Sequence, residues 1–389
     1  MKAGHFSRIT LVLVLVLSVT AVLIPVNAEC QLGVRTEARI PDIPGYVTIK
    51  CDFHMHTVFS DGSVWPQVRV QEAWVEGLDA ISITDHIEYL PHEDDVSTDL
   101  NRSYELAAPS ARSVNMMFIK GTEITRDEPE AHHNALFIKD ANALDIEDFT
   151  ECIKASAEQG AFIIWNHPGW KQPGNKSVWY DIQNEIWEKG WLHGIEVVNT
   201  DDYYPNAHQW CLEKNITMIG ASDVHGPINM SYDLANGEHR PITLVFAREK
   251  TEESVKEALF DRRTAVYWRN ILIGEEKFLR PIFTGSIEIT TPEVTVKGTG
   301  GAYVQIKNNS DIKYELAANG ENEYVSMPGN VVLYPGKTIM MRIRGTTEDR
   351  SGVRKINLPY IIKNLYVKPN EGMPVELSVN VRFLPADGR

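Results

Sequence analysis

Residues Cys51 to Gly62 read CDFHMHTVFSDG, in which His54 and His56 stand two apart and Asp61 follows five residues later. Two imidazoles at that spacing on an extended chain share a face, about 6.5–7 Å apart at the backbone, and can converge on one ion. Ligand-type side chains recur further along. His86 ends AISITDH, Glu123 ends MFIKGTE, His167 ends AFIIWNH, and Asp223 and His225 close TMIGASDVH, while HHNALFI offers either His132 or His133. Satisfied core histidines would account for one or two of these residues. They would not account for imidazoles and carboxylates that share a strand-end position, because buried carboxylates left unpaired need a cation. A cluster of divalent metal ions is the expectation.

Such a set must be positioned by regular elements. From Tyr46 to about Asn270, the apolar runs YVTIKCDF, DAISITDH, NMMFIKGTEI, AFIIWNHP, GIEVVN, TMIGASDVH and ITLVFA alternate with helical patterns such as DIEDFTECIKASAEQG and EESVKEALFDRR. That alternation predicts a mainly parallel α/β sheet or barrel, whose site lies at the C-terminal strand ends. Period two places Val47, Ile49, Cys51, Phe53 and Met55 on a face suited to a helix layer. Thr48, Lys50, Asp52, His54 and His56 then face the barrel mouth. Trp187 and Trp191, four apart, are expected on one helix face. After Phe278 the helical period disappears and short β-rich runs follow one another, so residues 279–389 are expected to form a β-sandwich behind a barrel of residues 29–278.

The first 28 residues read as a signal peptide, with Lys2 and Arg8 before an uncharged run from Ile9 to Ile24 and cleavage after Ala28. The mature protein would be secreted or periplasmic, without a stable membrane span. Loss of Lys2 and Arg8, and of no acid, moves the formal charge from −15 to −17, which excludes nucleic acid as a partner. Cys30, Cys51, Cys152 and Cys211 show no paired spacing, so disulfide pairing stays open, as does the oligomeric state.

Taken in order, His54-Met55-His56-Thr57, Ser60-Asp61-Gly62, Ile83-Thr84-Asp85-His86, Gly121-Thr122-Glu123, His132-x-Asn134-Ala135-Leu136, Asn166-His167-Pro168 and Ser222-Asp223-x-His225 resemble the motifs of the PHP family, the polymerase and histidinol phosphatase metallohydrolases. The resemblance implies a distorted seven-stranded (β/α) barrel and a trinuclear site of zinc, manganese or iron. One ion would be held by His54, His56, Glu123 and Asp223, a second by Glu123, His132 and His167, and a third by Asp61, His86 and His225. It also favours His132 over His133. Asp85 is expected beside His86, steering its imidazole or taking a proton.

The implied reaction is attack by metal-bound hydroxide on a small phosphomonoester or phosphodiester. Arg102 is expected to reach the phosphate from the long loop after His86, ahead of Arg126 and Lys171. Trp170 would form a wall of the pocket, and Glu196 would support the site without binding metal. A carbamate or carboxylic ester hydrolase of the same fold would use the same ligands. An amidohydrolase would want a bridging lysine where Glu123 stands, and a surface binding protein would not need so many inward carboxylates and histidines.

Overall fold

The structure, a computed structural model, describes residues 33–386; the expected leader and Cys30 lie outside the described residues. The first half holds strands β1 (Val47–Asp52), β2 (Ala80–Ile83), β3 (Met117–Ile124), β4 (His133–Leu136), β5 (Phe162–Trp165), β6 (Gly194–Asn199), β7 (Thr217–Ala221), β8 (Ile242–Ala247), β9 (Thr264–Trp268) and β10 (Ile271–Gly274). Helices α1 (Pro66–Val75), α2 (Arg102–Ser113), α3 (Phe149–Glu158), α4 (Asp181–Glu188), α5 (Pro205–Lys214), α6 (Glu252–Phe260) and α7 (Glu276–Ser286) stand between and after them. All seven expected runs form strands. No helix among the described residues is long and apolar enough to cross a membrane.

The sheet is mixed rather than mainly parallel. β1, β2 and β3 pair in parallel, as do β5, β6 and β7. β4 runs antiparallel to both β3 and β5, and β8 antiparallel to β1. The segment between Ile124 and His133 is too short for the helical crossover that a parallel return requires. β7 closes the barrel by side chains as well as backbone. The Thr243 hydroxyl donates to Gly220 O and accepts from Gly220 N, and Thr264 Oγ1 donates to Met218 O at 2.8 Å. A Cβ on Gly220 would lie 2.3 Å from Val266 Cγ1, so only glycine admits this approach.

One apolar cluster takes Ile49, Cys51, Phe53, Ala80, Ile119, Leu136, Ile164, Ile219 and Val245 from seven strands, and Val255, Ala258 and Leu259 of α6 complete it. Side chains from so many strands can meet only inside the barrel. The apolar face of β1 therefore looks inward, not toward a helix layer as expected. His54 and His56 still reach the mouth because the ladder of β1 stops at Asp52 and the alternation breaks after Phe53. Met55 packs in a different cluster, with Ile81, Ile83 and Ala107. Trp187 and Trp191 are also not on one helix face: α4 ends at Glu188, and Gly190 at φ 70° turns the chain before Trp191.

The C-terminal half is an antiparallel β-sandwich. Along Gly301–Asn308, Ala302, Val304, Ile306 and Asn308 point inward and Tyr303, Gln305 and Lys307 outward. A long hairpin of Gly352–Lys368 and Glu371–Leu384 pairs its first arm in parallel with β10, Leu272 against Leu365. Helix α7 runs through the expected junction at Phe278 and packs on both halves. Phe278 stacks on Phe246 at 5.0 Å, Phe283 meets Tyr314 edge-on, and Tyr314 Oη donates to Ser286 Oγ at 2.7 Å. A chain ended at Ser286 is expected only in the insoluble fraction. In the full chain, Phe278→Ala is expected to cost about 3–5 kcal/mol and to shift a single calorimetric transition rather than one of two.

Candidate metal centre

The strands end in ligand-type side chains gathered at one mouth. His54, His56 and Asp61 follow β1, His86 follows β2, Glu123 lies on β3, His132 precedes β4, His167 follows β5, and Asp223 and His225 follow β7. The structure brings all nine together, in overlapping groups of donor atoms within 4.8 Å of one another. His54 Nε2, His56 Nε2 and Asp223 Oδ1 form a triangle with sides of 3.0, 3.1 and 3.2 Å. Glu123 Oε2 stands 3.4 Å from each of the two ring nitrogens. Atoms bound at 2.0–2.1 Å to one tetrahedral ion lie about 3.3 Å apart, so the spacing suits a shared cation.

Two further groups adjoin this one. Asp61 Oδ1 lies 3.3 Å from His225 Nε2 and 3.5 Å from His86 Nε2. Glu123 Oε1 is 3.0 Å from His132 Nδ1 and 3.7 Å from His167 Nε2. His86 also turns to Glu123, with Nδ1 2.9 Å from Oε2, so it groups with Asp61 and with Glu123 alike. Asp61 Oδ1 and Glu123 Oε2 are buried without a hydrogen-bond partner. Orphan carboxylate oxygens facing imidazole nitrogens fit divalent ions, and the sulfur-free donor set suits zinc, manganese or iron.

Burial opposes every charge here, yet the groups hold one another ionised. Asp61, Glu123 and Asp223 sit well below the usual carboxylate range despite burial, because imidazoles surround them. Burial disfavours the charged form of His86, but Glu123 and Asp61 outweigh it and raise its pKa to about 10. Against burial, Asp223, Glu123 and Glu196 raise His54 and His167, and Asp61 and Asp223 raise His225, whereas burial wins at His56 and lowers it. Protons thus supply the positive charge when no metal does.

A surrounding layer aims the ligands. Glu196 accepts from His54 Nδ1 at 2.8 Å, from the His167 backbone N–H at 2.7 Å and from Asn199 Nδ2 at 2.8 Å. With Nδ1 protonated, the Nε2 lone pair of His54 points into the cluster. Asn166 donates to Glu123 Oε1 and to Asn134 Oδ1, both at 2.9 Å. His167 at φ 27° and Asp223 at φ 51° hold left-handed backbone that few such residues adopt, a strain that the surrounding bonds sustain.

Several expected roles change. Among the described residues no hydrogen bond joins the Asp85 carboxylate to His86. That carboxylate accepts from Thr57 N, Thr57 Oγ1 and Ser60 Oγ at 2.6–2.8 Å, so it clamps the loop leading to Asp61. Arg102 is not brought to the cluster: it is exposed on the first turn of α2 and pairs with Glu105 across that turn. Arg126 lies nearer but is occupied by Glu88 and by the Thr125, Ile146 and Glu147 carbonyls. Lys171 and Trp170 line a recess with His132 and His167. His133 packs against Phe149 on the other face, and burial pushes it down to about 3.

Sequence reasoning missed Arg69. It is fully buried and donates to the backbone carbonyls of His56, Val224, His225 and Gly226 at 2.8–3.0 Å, stapling two ligand loops together. Its signal was a charge on the apolar stripe of α1, beside Pro66, Val70 and Ala73. Arg240, also fully buried, pairs with Asp52 of β1 and with Glu76 at the end of α1.

Binding a divalent ion must displace the imidazole protons, so its affinity is expected to rise with pH through neutrality toward the His86 value near 10. Calorimetry in two buffers of different ionisation enthalpy would count the protons released. Glu196→Gln is expected to weaken metal binding about 10–100-fold, read by competition with a chelating dye.

The likeness to known proteins agrees with this geometry. A family model described as an Ig-like domain matches residues 287–378. A two-domain protein containing a predicted PHP-like metal-dependent phosphoesterase, from Bacteroides vulgatus, is 41% identical, covers 89% of this chain and 99% of its own, and superposes with a TM-score of 0.84. A putative metal-dependent phosphoesterase from Bifidobacterium adolescentis is 17% identical over 46% of this chain and 88% of its own, with a TM-score of 0.37, and has no bearing on function. No curated protein matches. With the first of these relatives spanning nearly its whole length, this chain belongs to the PHP family, in a two-domain form that ends in an Ig-like sandwich.

Proposed function

We propose that the protein is a secreted metal-dependent phosphoesterase that hydrolyses small phosphomonoesters or phosphodiesters at a trinuclear site. The observation that carries this is the convergence of six imidazoles and three carboxylates, two of whose buried oxygens accept no hydrogen bond and face imidazole nitrogens instead. His54, His56, Glu123 and Asp223 would hold one ion, Glu123, His132 and His167 a second, and Asp61, His86 and His225 a third. Bound zinc, manganese or iron supplies Lewis acidity and lowers the pKa of water at the site. The similarity to the Bacteroides vulgatus protein, which contains a predicted PHP-like metal-dependent phosphoesterase, supports the same reading.

The chain's own residues do the rest. Glu196 fixes the His54 tautomer, Asn166 holds Glu123, and Asp85 and Arg69 keep the ligand loops from shifting when the charge of the site changes. Lys171 makes no ion pair with a carboxylate among the described residues and lines the recess beside His132 and His167, where its ammonium can pair with phosphate oxygens. The leader and the acidic mature surface support an extracytoplasmic location and a small-molecule substrate.

Elemental analysis of the mature protein, with p-nitrophenyl phosphate and bis-p-nitrophenyl phosphate assays, tests the reading. Two or three ions per chain and hydrolysis of one ester class are expected, with Glu123→Ala losing both metal and activity. Metal without cleavage of either ester would sink the phosphoesterase assignment. Lys171→Ala is expected to raise KM about tenfold with kcat little changed, whereas Arg102→Ala should leave both within about twofold.

A further inference from the structure

Large apolar side chains concentrated at one place on a folded surface call for a reason. Among the described residues of the barrel half, the exposed aromatic side chains are Trp65, Tyr89, Trp170 and Phe260. Phe260 ends α6, the helix that completes the barrel's interior cluster. The other three stand on the loops that carry Asp61, His86 and His167. The Tyr89 ring meets His86 edge-on at 6.0 Å, and the Trp170 indole meets both His132 and His167 edge-on at 5.2 Å. Trp170 remains 44% exposed, and Lys171 Nζ lies 3.9 Å over its ring. The backbone at Lys171, φ 58°, is left-handed.

We propose that Trp170 is the platform on which the leaving group stacks, so that the favoured substrates are phosphoesters of a planar aromatic ring rather than of a small aliphatic alcohol. This rests on the phosphoester reading above. Lys171 now covers the indole as a cation over the ring. A phosphate seated at the cluster offers that ammonium charged oxygens, a stronger partner, and uncovers the ring face for the aromatic group. Anion recognition and ring recognition are thereby linked through one side chain, and an aliphatic ester gains only the first.

The test uses the full, metal-loaded chain at pH 8, titrated calorimetrically with phenylphosphonate and with methylphosphonate, alongside assays of phenyl phosphate and glycerol phosphate. Wild type is expected to bind the phenyl compound about tenfold more tightly, as single-ring stacking contributes elsewhere. In Trp170→Ala the ratio should fall to about one, and Trp170→Phe should keep most of it. Equal binding of the two phosphonates by wild type, or an unchanged ratio in Trp170→Ala, overturns the platform and leaves the phosphoesterase reading standing. A phenyl preference lost in Trp170→Ala with neither ester hydrolysed overturns the phosphoesterase reading and with it the leaving-group role of Trp170, and no binding of either phosphonate overturns the platform.

Discussion

Three carboxylates withdrawn from water into a cage of imidazoles set the terms for the rest of the barrel. Asp61, Glu123 and Asp223 can stay ionised there only while positive charge faces them, and the raised imidazoles of His54, His86, His167 and His225 supply it as protons that a metal ion would replace. Neither half of the cage is stable alone. Carboxylates without cations would be expelled or neutralised, and imidazolium ions without carboxylates would lose their protons. This mutual dependence explains why so many polar side chains can meet in a fold whose interior is otherwise apolar.

Holding such a cage requires loops as firm as strands. Loops are ordinarily the mobile part of a barrel, and here buried charge secures them. Arg69 takes four backbone carbonyls across the seam between β1 and β7, that of His56 on one side and those of Val224, His225 and Gly226 on the other. Asp85 ties Thr57 and Ser60, and Arg240 anchors Asp52 and through it Ser222, next to the ligand Asp223. Arg69 has a partner for every N–H, the condition under which a buried charge is tolerated. The strained backbone at His167 and Asp223 sits inside this frame.

The sandwich serves the barrel in a related way. Strand β10 would otherwise present an open edge, and an unpaired edge invites association. The long C-terminal hairpin pairs with it, and Phe246, Phe278, Leu272, Tyr314 and Ile362 share one core. The two halves that differ so clearly in sequence texture therefore depend on each other for burial.

The sequence by itself determined the alternating strands, the sandwich that follows them, and which side chains would meet, because strand-end positions in an α/β fold all open on one mouth. Most of the set from His54 to His225 could be read from spacing and residue type, whereas the choice of His132 over His133 needed the family resemblance. What only the tertiary structure decided are matters of direction and partnership. Cys51 and Phe53 join the interior cluster, and His54 and His56 reach the mouth because β1 stops short; Asp85 clamps a loop; Arg102 stays with its own helix while Lys171 lines the recess beside His132 and His167. Arg69 proves to be the staple between two ligand loops. Each of these turns on which backbone group lies across a gap of many residues, and period and composition describe only neighbours along the chain.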